Sequence, residues 1–191
     1  MAEDKRKTTT FRQAALADRG LLVTHLGSNP DAIAPGFTFL PARELPGEEF
    51  LLGMDREKRL YVVEIACRFE EGLLYRSLTH LRWTLSNVFA CGPEAEQLPV
   101  DQRLLPGIMY IVPESPPAFI EAFECINDTI NLAVIRYWYL ESDHEQGFYF
   151  EPVRIPEKKS RGNTPAQKEL QIASLREQAA LTQEEIMKFL S

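Results

Sequence analysis

The chain has 191 residues, 45% hydrophobic and 26% charged, with 28 acids against 21 lysines and arginines and a formal net charge of -7. Such a length suits one compact domain with a tail, and the mixture is that of a globular chain rather than a disordered one. The acidic balance argues against a surface-wide grip on phosphate backbones. No apolar run nears the ~20 residues of a membrane span, and the charged start MAEDKRKTTTF lacks the apolar core of a secretory signal.

Three cysteines, Cys67, Cys91 and Cys125, sit among apolar neighbours without metal-type spacing. They read as buried free thiols and place the chain in a reducing cytoplasm. Basic side chains gather in Arg56-Glu57-Lys58-Arg59 and in Lys158-Lys159-Ser160-Arg161, where they read as solvated turn and linker residues.

In chain order, Thr10 to Ser28 reads as a helix, with Phe11, Ala14, Ala15, Leu22 and Leu26 forming an imperfect stripe interrupted by Gly20. Asn29-Pro30 ends it and Pro35-Gly36 is a second break, after which Phe37 to Glu44 suits a strand. Phe50 to Met54 and Leu60 to Cys67 read as a hairpin joined by the polar stretch Asp55 to Arg59. Alternation puts Leu60, Val62, Glu64 and Ala66 on one face and Tyr61, Val63, Ile65 and Cys67 on the other. Apolar groups on both faces predict a strand covered on both sides. Glu64 then stands out, a carboxylate among apolar neighbours.

Glu71 to Phe89 predicts an amphipathic helix through Leu74, Leu78, Leu81 and Leu85, with Trp83 and Val88 widening the stripe. Gly107 to Val112 suits a buried strand, Pro117 to Asn127 a helix, and Ile130 to Glu141 a further strand. Phe148 to Phe150 adds a short edge strand before Pro152. Strands joined through helices are expected to be parallel, by right-handed crossover. An α/β domain is expected over 1–155, and a linker with a helical tail over 156–191. In the tail, Thr164-Pro165 opens one helix and the capping box Thr182 to Glu185 a second. Neither has a basic recognition face, so the tail reads as a packing or dimerisation arm. Tyr137, Trp138 and Tyr139 read as core and edge packing rather than a base-stacking platform.

The ordered pieces resemble the PD-(D/E)xK superfamily of restriction-endonuclease-like proteins, in its tRNA-endonuclease-like and mismatch-endonuclease-related branch. The likeness runs from about Phe11 to Glu141. It is carried by Asn29-Pro30-Asp31-Ala32-Ile33-Ala34-Pro35-Gly36-Phe37, Arg43-Glu44-Leu45, Phe50 to Asp55, Leu60 to Ala66, Met109 to Pro113 and Ile130 to Tyr137. The resemblance implies a three-layer core: a mixed central sheet flanked by helices.

It also implies an Asp and a Glu converging on one divalent cation, usually Mg²⁺, with a lysine two residues after the Glu on the same strand face. Carried over residue by residue, the Asp position falls on Phe50, the Glu position on Glu64 and the Lys position on Ala66. Only the glutamate keeps a functional group, and Glu64 is the one residue left as a metal ligand. The expectation is therefore a vestigial site that needs no cofactor and a fold that holds DNA or RNA weakly.

Two other readings stand beside it. Glu44, Glu49, Arg76 and His80 could have migrated in to rebuild a Mg²⁺-dependent phosphodiesterase; Arg76 and His80 share one helix face, but Glu49 precedes Phe50 and so points away unless a bulge re-aims it. Alternatively, the chain is a homo-oligomeric scaffold assembled through its tail. Glu64 also has a plainer role open to it, as a structural carboxylate paired with Arg76 or another cation. Zinc spacing, a phosphate-binding glycine loop and a serine nucleophile elbow are all missing from the sequence.

Overall fold

The computed structural model describes residues 10–45, 48–70, 72–89, 99–126, 130–143 and 145–154. Its elements are β1 (Arg12–Ala14), α1 (Arg19–Ser28), a 3₁₀ turn (Pro30–Ala32), β2 (Thr38–Leu45), β3 (Glu48–Met54), β4 (Leu60–Ile65), α2 (Leu73–Thr84), β5 (Gly107–Val112), α3 (Pro117–Ile126), β6 (Asn131–Glu141) and β7 (Gln146–Arg154). The seven strands form one mixed sheet. β2, β3 and β4 are antiparallel, while β4, β5 and β6 run parallel, linked through α2 and α3 as the crossover rule requires. β6 takes β5 and then β1 along one edge and the antiparallel β7 along the other.

Alternation along the central strands divides the core in two. Leu60, Val62, Ile108, Tyr110, Leu132 and Val134 pack against Leu73, Leu74, Leu78 and Leu81 of α2 and Phe119 of α3. Tyr61, Val63, Ile65, Met109, Ile111 and Ile135 pack against Leu22 and Leu26 of α1 with Phe37. Every residue of β4 and β5 is buried, so the sheet is the middle of three layers, a mixed α/β architecture.

The amino-terminal reading is corrected. Thr10 to Ser28 is not one helix: Arg12 to Ala14 pairs with Tyr139 to Glu141 of β6, and α1 starts only at Arg19, where the Asp18 carboxylate accepts from Gly20 N at 2.8 Å. Gly20 thus lies in a capped first turn. Of the proposed stripe, Leu22 and Leu26 are buried while Phe11 is exposed. Pairing to a strand edge outweighs the mild helical preference of Arg-Gln-Ala-Ala.

α2 is shorter than the leucine pattern predicts, ending at Thr84 and passing into a π-helical turn over Leu85–Phe89. β7 is longer than expected and contains Pro152, which an edge strand tolerates because only one of its sides is paired. The register shift between Val134 and Ile135 lies beside that proline. The helical tail expected over 156–191 lies outside the described residues, as do Cys91 and His144.

Candidate functional site

The hairpin turn sets the register that builds the site. The Asp55 carboxylate accepts from Glu57 N and Arg59 N, both at 2.9 Å, and Lys58 N donates to Asp55 O at 2.9 Å. From that turn, Leu51 pairs with Val63 and Leu52 with Val62. One step further, the same register sets Phe50 opposite Glu64. Both then face α2, and Ala66 follows on the same face.

Glu64 is 4% exposed, yet it has partners for both oxygens. His80 Nδ1 lies 2.6 Å from Oε1, and Arg76 Nε lies 3.4 Å from Oε2. Arg76 and His80 are four residues apart on α2, so a single helix face presents both to the strand. A carboxylate only accepts hydrogen bonds, which assigns the proton to His80 Nδ1. The His80 ring is stacked on Phe50 with centroids 4.5 Å apart and planes 11° apart, and Trp83 meets Phe50 edge-on at 5.4 Å.

Beside the carboxylate, Ser77 donates to Leu74 O and is hydrogen-bonded to the Tyr110 hydroxyl. Burial pushes the Tyr110 phenol well above its usual range, with the Glu64 charge adding to the shift, so the hydroxyl keeps its proton. Outward from Glu64, Arg76 also lies 3.8 Å from Glu70, which in turn lies 3.3 Å from Arg68. Charge thus alternates from the exposed Arg68 inward to the buried Glu64.

Of the residues singled out in the sequence, the structure brings together Phe50, Glu64, Arg76 and His80. Ala66 is buried on the same face; its N–H donates to Ile111 O at 3.1 Å and its carbonyl accepts from Tyr137 at 3.2 Å, so only its backbone is engaged in polar contacts. Glu44 and Glu49 are register partners across β2 and β3. The register shift in β2 lies before that pair, between Leu40 and Arg43. Among the described residues, no three His, Cys, Asp or Glu side chains converge as a metal site.

Ser77 and Tyr110 went unnoticed in the sequence. Ser77 is three residues before His80, a spacing that puts both on the sheet-facing side of α2 and was readable. Tyr110 sits in an apolar run, where nothing marks its hydroxyl. On the other side of the sheet, an open groove of about 290 Å³ runs between α1 and β7, with His25 packed on Phe148 at 4.9 Å.

No protein-family model matches the chain, and no curated protein matches it. Two solved structures are similar to it in part. EndoMS in its apo form shares 16% identity over 62% of this chain and 46% of its own, with a TM-score of 0.45. EndoMS in a complex with double-stranded DNA shares 18% over 71% and 49%, with a TM-score of 0.44. The chain spans about half the length of these proteins. Likeness at this level assigns neither an activity nor a ligand. Among the described residues, no helix is long and apolar enough to cross a membrane.

Proposed function

We propose that this chain is a nuclease-type domain that no longer cuts and that works by holding nucleic acid. The observation behind this reading is the closure around Glu64. One oxygen is engaged by His80 and the other by Arg76, while the Phe50 ring fills the neighbouring position and covers His80. Mg²⁺ binds oxygen ligands at roughly 2.1 Å and keeps several waters. A cation at Glu64 would have to displace a guanidinium and an imidazole beside an aromatic ring that offers no lone pair.

The motif resemblance supplies the nuclease half of the proposal, since it puts Phe50 and Ala66 where an acid and a lysine would be needed for cutting. The test is incubation of pure protein with supercoiled DNA and with RNA, each with Mg²⁺ or Mn²⁺. Intact substrate is expected at every protein concentration. Cleavage that disappears in Glu64→Ala while Phe50→Leu retains it would overturn the proposal.

A further inference from the structure

β7 is nine residues long, and among the described residues its only strand partner is β6. Its other side is a sheet edge that offers backbone N–H and C=O groups to a further strand, as far as Pro152, which has no N–H to give. The groove of about 290 Å³ lies along the α1 side of that edge. Leu21, Thr24, His25 and Ser28, at i, i+3, i+4 and i+7, turn one stripe of α1 toward it, while Gln146 and Phe148 form its strand side. Phe148 and Phe150 pack on the α1 face of the sheet. The His25 ring lies 4.9 Å from the first and 6.1 Å from the second.

We infer that an extended segment of a partner protein adds to β7 as a further strand and drops an apolar side chain, leucine or phenylalanine, into this groove. Main-chain hydrogen bonds to a free edge supply affinity, and alternate side chains, which fall on one side of the sheet, supply selectivity. The groove has both parts of such a receptor, a strand edge and a helix beside it. Its floor is aromatic and its outer wall carries Leu21, 38% exposed. At the rim, Ser28 Oγ donates to Thr24 O at 3.1 Å and Gln146 Oε1 accepts from the Tyr139 hydroxyl, so an apolar guest strands neither group.

Charge complementarity sets the rest of the segment. No lining residue is an acid, a lysine or an arginine. The exposed Asp143 and Glu145 precede Gln146, however, and the exposed Glu151 follows Phe150. Arg12 already lies 3.9 Å from Glu141, and Arg136 lies 3.8 Å from Glu151. The groove also sits at the carboxyl end of α1, where the helix dipole is negative. In a chain of net charge -7, the segment that fits has lysine or arginine around its apolar residue. This inference is independent of the nucleic-acid reading and uses none of the residues around Glu64.

The test is fluorescence anisotropy of the full chain with a labelled Lys-Thr-Lys-Leu-Thr-Leu-Lys-Thr-Lys peptide. Three control peptides accompany it: one with Glu for Lys, one with Ser for Leu, and one N-methylated at alternate backbone nitrogens. The parent peptide is expected to bind and each control to bind at least about tenfold more weakly. Thr24→Arg, which brings bulk and a cation into the groove from an exposed position, should weaken binding by about tenfold or more. Glu145→Lys should weaken it about threefold, an effect that fades in high salt. Hydrogen exchange should show the outward-pointing amides of residues 146–151 slowing when peptide is added. Melting curves identify any loss caused by unfolding, and Glu145→Lys, altered in an exposed turn, carries the test if Thr24→Arg does not fold.

Absence of binding, equal affinity for the Glu or Ser peptide, or affinity unmoved by Thr24→Arg would overturn the inference. Indifference to N-methylation would remove the strand addition and with it the proposal. So would outward amides of β7 that are slow before any peptide is added, since the edge would then be held by the chain itself or, if a size measurement gives a dimer, by a second copy. Cleavage lost in Glu64→Ala would sink the earlier proposal and leave this one standing.

Discussion

Replacing Glu64 with glutamine separates a structural carboxylate from one kept for chemistry. The change preserves shape and leaves the side-chain oxygen that accepts from His80 Nδ1. It removes the charge facing Arg76 at 3.4 Å. At an effective dielectric of about 20, that pair has a gross attraction of about 5 kcal/mol, from which the desolvation of both groups must be subtracted. Breaking a fully buried pair costs roughly 3–5 kcal/mol, but the Arg76 side chain is 32% exposed and can turn to water and to Glu70, 3.8 Å away. The prediction is therefore a loss of about 1–2 kcal/mol for Glu64→Gln.

Glu64→Ala should cost more, about 3–4 kcal/mol, because it also leaves the His80 Nδ1–H without its acceptor in the core. Urea unfolding at neutral pH, with a double-mutant cycle through Arg76→Met, gives both values and the coupling between the two side chains. A carboxylate held for catalysis is commonly a burden on the fold, and its removal stabilises. Glu64→Gln more stable than the parent, or no coupling to Arg76, would refute the structural role assigned to the cluster.

Gly107→Ala should destabilise by roughly 2–3 kcal/mol in the same urea assay, because a Cβ there would lie 2.5 Å from the Asn131 carbonyl oxygen and 2.7 Å from the Tyr61 ring. Lys58 has φ 65°, so Lys58→Gly should raise stability by about 0.5 kcal/mol; relief of the left-handed strain slightly exceeds the entropy that glycine adds to the unfolded chain. Burial is the main cause that raises the phenols of Tyr61, Tyr110 and Tyr137 above their usual pKa of 10.0. Above pH 10 the unfolded chain has then lost protons that the folded chain keeps, so stability is flat through neutral pH and falls on the alkaline side. The slope approaches about 1.4 kcal/mol per pH unit for each phenol, readable by urea unfolding from pH 8 to 11, and a curve still level at pH 11 would contradict the burial of these groups.

The middle of this fold was legible because sheet alternation is a strong signal when both faces are apolar. In Leu60 to Ile65 the sequence alone separates the two cores, and the observed burial follows that division residue by residue. Parallel pairing of β4, β5 and β6 likewise follows from the intervening helical segments. Legibility failed where a distant partner decides the conformation. Arg12 to Ala14 has helix-forming side chains, and only the carboxyl end of β6, more than a hundred residues later, makes it a strand. Pro152 misled for a related reason: proline is a barrier to a central strand but not to one with a free side, and strand position in the sheet is not written locally.

The cluster around Glu64 was half legible. Its spacing on α2 was readable, since Arg76 and His80 are one helical turn apart, and so was the isolation of an acid in an apolar strand. The stacking of Phe50 on His80 was not, because it depends on the β3–β4 register and on the approach of α2 to the sheet. Once those are in place, the residues explain one another. A buried carboxylate is costly unless it is paired, and α2 supplies both partners from one face. Sliding α2 by a turn would carry both away from Glu64, so the acid favours a single register of helix on sheet. The aromatic ring at Phe50 then closes the site with a planar surface that fits imidazole. On this view Phe50 and His80 form one unit: His80→Ala should open a void beneath Phe50, while an acid at position 50 would bring a second negative charge up to Glu64 with no added cation to balance it.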